Sequence, residues 1–186
     1  MTRPYRLLAL GPGGGVGAAV AAALIADRVC IAVDGEVDAV LVDGMDGAEE
    51  TPFLDLTDSA FEAQLIDATL DRVAMLHAAL PRLAAAASIV VLGSDAHLGR
   101  WHGAGQAAAS AALVGIVRSV AMEYGRRGVR ANMIALPLGT RPGDAAAVAD
   151  AARQAATLFA APSISGETIL IDGGGNLKFR QARRRD

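Results

Sequence analysis

Apolar positions fall in short blocks separated by glycine- or proline-bearing turns. Tyr5–Leu10, 28–33, Val37–Val42, Ser88–Leu92, Val129–Ala135 and Gly166–Ile171 are brief, β-branched or continuous apolar runs. That pattern predicts strands buried on both faces. Longer alanine-rich segments lie between them, over Val16–Ala26, about 59–80, about 106–124 and 144–158. These predict helices, with Asp58 or Ser59 as a cap for the second and Glu62 in its first turn. Strands alternating with helices imply a mostly parallel sheet covered on both faces. The first strand runs into the turn Gly11-Pro12-Gly13-Gly14-Gly15 and then a helix, an arrangement that cradles phosphate when strand and helix both flank it.

Composition narrows the picture. With 186 residues, 53% apolar and 20% charged, the chain is expected to form one domain over 1–177. Residues 178–186 form a basic tail in which Lys178, Arg180, Arg183, Arg184 and Arg185 face Asp186. A net charge of -3 gives no footprint for nucleic acid or an anionic membrane. No charge-free apolar run reaches the length of a membrane span. No targeting segment stands out, so a cytoplasmic location is expected. One cysteine, Cys30, excludes an internal disulfide and is expected buried in a strand; no metal-ligand spacing is present. All 17 basic residues but Lys178 are arginine. A mechanism needing a lysine in the body of the domain is therefore excluded.

Six segments, in this order, resemble the short-chain dehydrogenase/reductase family. They are Gly11, Gly15 and Gly17 in the first turn; Pro52-Phe53-Leu54-Asp55-Leu56-Thr57-Asp58; Ala111-Ala112-Leu113-Val114-Gly115; Arg118-Ser119 with Ala121-Met122-Glu123; Gly128-Val129-Arg130-Ala131-Asn132; and Gly166-Glu167-Thr168 to Asp172-Gly173-Gly174. The resemblance implies a three-layer Rossmann-like sandwich of the ketoacyl-reductase-like branch. It also implies nicotinamide cofactor contacts at Gly11, Gly15, Gly17 and the selector Asp34. The family's catalytic serine corresponds to Ser94. Its tyrosine position falls on Gln106, its lysine position on Ser110 and its helix asparagine on Thr69. Glutamine has no useful acid–base equilibrium, and serine supplies no fixed charge. Asp43 and Asp46 stand where the family carries an asparagine-rich segment, and two carboxylates there would repel a pyrophosphate.

The resemblance also exposes a deficit between Asp34 and Val37, where a strand and two helices are missing. Parallel strands joined by so few residues conflict with ordinary crossovers. Two paths are open. Either the strand near 29–33 pairs with 37–42 as a hairpin, or 27–36 crosses below the sheet and the adenosine-side strand is lost; the second is favoured.

The functional expectation is a truncated, degenerate member: a catalytically inactive structural or regulatory subunit, with no cofactor required and NAD(P) binding weakly expected. It would pair with itself or an active paralogue through the helices at about 59–80 and 106–124 and the last strand. The alternatives are a divergent NAD(P)-dependent oxidoreductase, or a nucleotide or small-molecule binding protein, using the Ser94, His102 and Gln106 region. His102 is its titratable candidate. His97 and the lone Trp101 lie in the same loop.

Overall fold

The computed structural model describes residues 3–45, 47 and 50–177; the basic tail and Asp46 lie outside them. Six parallel strands form one sheet: β1 (Tyr5–Leu10), β2 (Cys30–Ala32), β3 (Val37–Asp43), β4 (Leu83–Ser94), β5 (Arg130–Leu136) and β6 (Thr168–Leu170), in the order β2-β1-β3-β4-β5-β6. Helices α1 (Val16–Ala26) and α5 (Ala145–Ala160) cover one face. On the other lie α3 (Ala68–Ala79) and α4 (Ala104–Tyr124). The short α2 (Asp58–Glu62) leads to α3 through a π-helical turn, Ala63–Asp67.

Alternation along the strands builds two cores. Leu7, Leu41, Val90, Leu92 and Ile134 point toward α1 and α5, where Phe159 and Leu158 are fully enclosed. Val40, Val42, Ile89, Val91 and Met133 point toward α3 and α4. Small side chains dominate α1 and α4, so the helix backbones come close to the sheet. Cys30 is buried as expected, and that burial pushes its thiol pKa up to about 12. The turn Gly125–Arg127 extends α4, giving the one helix among the described residues that is long and apolar enough to cross a membrane. Here its inner side chains, including Leu113 and Val117, are part of the core.

The passage from β2 to β3 takes neither path expected from the sequence. Both strands run parallel to β1 and flank it, with Ala32 and Ala39 on either side of Leu7. The strand at this edge of the sheet is kept, with β2 at the edge beside β1. β2 is short enough that the chain need descend only about two rungs and step across two strand spacings, roughly 12 Å in all. The five Cα steps from Ala32 to Val37 reach about 17 Å, so residues 33–36 suffice. Val33, like Leu8 and Leu10, packs against the core beneath α3 and α4, which puts the crossover on that side of β1. Arg6 anchors it through Asp38 at 2.6 Å and Glu36 at 3.2 Å. Arg82 donates to the carbonyls of Val33 and Gly35.

Candidate active site and nucleotide turn

At the strand ends, the glycine turn closes around a carboxylate of its own chain. Asp43, the last residue of β3, is only 4% exposed. Its Oδ2 accepts the Gly17 N–H at 2.7 Å and its Oδ1 accepts the Met45 N–H at 3.1 Å. The N-cap residue Gly15 gives α1 no side-chain cap, and α1 has no acidic residue in its first turn. Asp43 therefore supplies both the hydrogen bond and the negative charge that a helix N-terminus favours. A Cβ placed on Gly11, Gly15 or Gly17 would meet Asp43 at 2.5, 2.5 or 2.6 Å. These three glycines are required by the close approach of β3.

The outer half of the turn is open. Gly13 and Gly14 are exposed, and no atom lies within 4 Å of a Cβ built on either. Their amides make no hydrogen bond within the described residues. Such outward-facing N–H groups beside a helix N-terminus suit a phosphate. The turn fits a dinucleotide's diphosphate on that side, with Gly13 and Gly14 as the holding residues. Pro12 contributes no donor. Asp34 is exposed in the crossover just past β2.

The residues at the family's catalytic positions come together only in part. Ser94 ends β4, and Ser110 lies on the inner face of α4. Their hydroxyls are 2.6 Å apart, and each residue is 1% exposed. Gln106, one turn earlier on α4, is 5% exposed. A Cβ on Gly103 would lie 3.2 Å from the Gln106 Oε1 and 2.7 Å from the Arg100 Cγ, so both side chains border Gly103. The Thr69 hydroxyl donates to the Leu65 carbonyl, in the π turn, at 2.5 Å.

The histidines divide. His97 Nδ1 contacts the Ser94 carbonyl oxygen at 2.9 Å. His102 lies farther out, with its ring 4.8 Å from that of Trp101. Its backbone is left-handed, φ +55°, and its carbonyl accepts the Thr51 N–H at 2.7 Å. Asp95 links the loops after β4, β5 and β6. Its Oδ1 accepts the Leu138 N–H, and its Oδ2 accepts from Asn176, which also donates to Asp172. The Asn176 backbone N–H, its side-chain amide and the Gly174 N–H hold the Asp172 carboxyl below its usual range. Nothing in the sequence links Asp95 to Leu138 and Asn176; only the meeting of three loops does. Among the described residues no group of three or more His, Cys, Asp or Glu side chains is placed to hold a metal ion.

Comparisons with known proteins bear on these departures. A family model described as Enoyl-(Acyl carrier protein) reductase matches residues 22–158. No curated protein matches significantly. Among solved structures, the fold resembles a short-chain dehydrogenase/reductase family oxidoreductase from Burkholderia thailandensis. The two are 21% identical over 93% of each chain, with a TM-score of 0.68. A short chain dehydrogenase family protein from Francisella tularensis is 14% identical over 94% of this chain and all of its own, with a TM-score of 0.70. A short-chain oxidoreductase from Pseudomonas aeruginosa PAO1, NADPH-bound and with an atypical catalytic center, is 19% identical over 97% of each chain, with a TM-score of 0.68.

These findings correct the expectation of a catalytically inactive subunit, and with it the label of pseudoenzyme. That expectation rested on Gln106, Ser110 and Thr69 departing from the family's usual centre. The Pseudomonas protein is described as an oxidoreductase, with NADPH bound, while its centre is also atypical. Departure from the usual centre is thus no ground for reading the chain as a non-enzyme. Nor is the chain short beside these structures, each of which it covers over 93% or more of its own length. The chain belongs to the short-chain dehydrogenase/reductase family.

Proposed function

We propose that this protein is a divergent NAD(P)-dependent oxidoreductase acting on a carbonyl or alcohol, with its reacting centre at Ser94, Ser110 and Gln106. The observation that carries this reading is the buried Ser94–Ser110 hydroxyl pair at 2.6 Å, one helical turn from Gln106. In the direction of reduction, the nicotinamide supplies the hydride when bound. Ser110 orients the Ser94 hydroxyl, and Ser94 donates a hydrogen bond to the substrate oxygen as negative charge develops there. Stabilising that charge with a fixed donor is the dominant catalytic device open to a centre without a charged residue. The Gln106 amide adds a second neutral donor. Neither group titrates near neutrality, so the proton that completes the alcohol comes from water or from His102 at the mouth.

The cofactor reading rests on the open amides of Gly13 and Gly14, with Gly11, Gly15 and Gly17 shaping the turn and Asp34 beside the ribose end. In this reading the centre is degenerate: Gln106, Ser110 and Thr69 take the tyrosine, lysine and asparagine positions. Residues 1–177 act as one unit with 178–186 appended. We further infer self-association through α3 and α4. Between them lies a groove of about 540 Å³ lined by Val73, Leu80, Ile116, Val120 and Tyr124. A cytoplasmic location is proposed with it.

The test is calorimetric titration with NADH and NADPH, followed by a panel of carbonyl substrates. The expected result is saturable binding of one cofactor, with turnover that S94A abolishes while leaving cofactor affinity unchanged. In H102Q the pH profile of turnover should flatten. No heat at millimolar cofactor overturns the reading.

A further inference from the structure

Beside the buried centre lies a groove of about 460 Å³ between two turns. One turn brings Phe53, Leu54 and Asp55, and the other brings Arg100, Trp101 and His102. Three large apolar side chains stand out from it: Phe53 is 75% exposed, Leu54 96% and Trp101 70%. One exposed apolar residue is ordinary, but several around one concavity mark a ligand site. The groove is preformed. The Thr51 N–H and the His102 carbonyl tie the turns together at 2.7 Å. His102 keeps a left-handed backbone that a non-glycine residue adopts at a cost, a feature that gathers at functional sites.

The charges around the groove indicate what it takes. Arg100 Nε is buried with no hydrogen-bond partner among the described residues. One terminal nitrogen of the same guanidinium reaches the exposed Glu50 only at 3.4 Å. A guanidinium held this way has donors to spare for a carboxylate. Asp55 on the opposite turn disfavours an anion there and so sets the ligand's direction. The Arg100 stem lies against Gly103, which the Gln106 Oε1 also approaches. The anion-binding end of the groove thus adjoins the proposed reacting centre.

We propose that this groove binds a flat apolar molecule carrying a carboxylate, with Phe53 and Trp101 as its apolar walls and Arg100 as the partner of the anion. The proposal names the substrate class for the oxidoreductase described above and rests on that reading only for the chemistry after binding.

The test is calorimetry on the full chain without nicotinamide, using indole-3-acetate against its uncharged amide, indole-3-acetamide. The acid is expected to bind at least about tenfold more tightly, the worth of one charge-assisted contact. R100Q should bring the acid down to the level of the amide. W101A should weaken both. As a check that needs no variant, the single indole N–H resonance of Trp101 should shift on titration with the acid. Equal affinity for acid and amide, no effect of R100Q, an unmoved Trp101 resonance, or no heat at millimolar ligand each overturns the proposal. Because no cofactor is present, these outcomes are separate from failure of NADPH binding.

Discussion

The Ser94–Ser110 pair makes a prediction that can be worked through in numbers. At 2.6 Å the two oxygens are within normal O–H···O range, and both residues are 1% exposed. Removing one hydroxyl leaves the other buried without its partner, a cost of about 1–3 kcal/mol. Serine to alanine deletes one oxygen, so the cavity adds little. The two single variants should nevertheless differ. In S94A the remaining Ser110 sits within α4 and can turn its hydroxyl to the Gln106 carbonyl, four residues back. That recovery leaves a loss of about 0.5–1 kcal/mol. In S110A the remaining Ser94, at the end of β4, has no such retreat, and the loss should be about 1–2 kcal/mol. S94A/S110A removes both partners, so it should cost less than the sum, with a coupling of about 1 kcal/mol. Urea denaturation followed by far-UV circular dichroism measures all four proteins. Additivity within about 0.3 kcal/mol refutes the pairing. A larger loss in S94A than in S110A refutes the back-bonding argument. Both single variants should also lower kcat without moving the Kd for NADPH.

Two further outcomes come from the same geometry. In G17A the new Cβ would lie 2.6 Å from Asp43 Cβ and 3.0 Å from its Cγ. These atoms lie close to the main chain and cannot swing away, so overpacking should cost about 3 kcal/mol. G17A/D43G should lose less than the two single changes together, measured by urea midpoint; strict additivity would show that the turn does not depend on this contact. The second concerns acid. Hydrogen bonds from the Arg6 guanidinium hold the Asp38 carboxyl below its usual range, and the same contact raises Arg6. A depressed carboxyl pKa contributes stability that is complete above about pH 4, the unfolded-state value, and is lost as pH falls through the folded one. D38N should therefore lose less stability than the parent protein between pH 6 and pH 3, read as the change in urea midpoint. Equal losses would remove Asp38 from the acid response.

Much of this was legible in the residues, because burial on both faces writes strands as short apolar runs. The strand at Tyr5–Leu10 and the helix at Val16–Ala26 agree with expectation to the residue. The positions of Ser110 and Gln106 came from the family resemblance anchored on Ala111-Ala112-Leu113, not from periodicity or composition. Other features left no local trace. β4 starts at Leu83, before the expected Ser88, and passes through an alanine-rich stretch where Ala86 has φ +61°. Alanine carries little strand preference, and neighbouring strands decide its conformation there. The π turn at Ala63–Asp67 interrupts an otherwise ordinary helical pattern. The path from β2 to β3 was misread because crossovers were assumed to span a whole strand, whereas β2 pairs at three positions only. The occupation of the glycine turn by Asp43 was missed too. Repulsion was expected from its charge, but its distance from Gly17 depends on the register of β1 and β3.

The short crossover also divides the molecule unequally. Residues 33–36 are the only covalent link between β1-α1-β2, with its glycine turn, and everything from β3 onward, with Ser94, Ser110 and the groove. Across that link the pieces meet through the β1–β3 ladder, the packing of α1 on α5, and the Asp43 contact with Gly17. The proposed nucleotide-binding and reacting parts are thus two complementary fragments. Cutting the chain at Gly35 and mixing the halves would ask these noncovalent contacts to reassemble the protein.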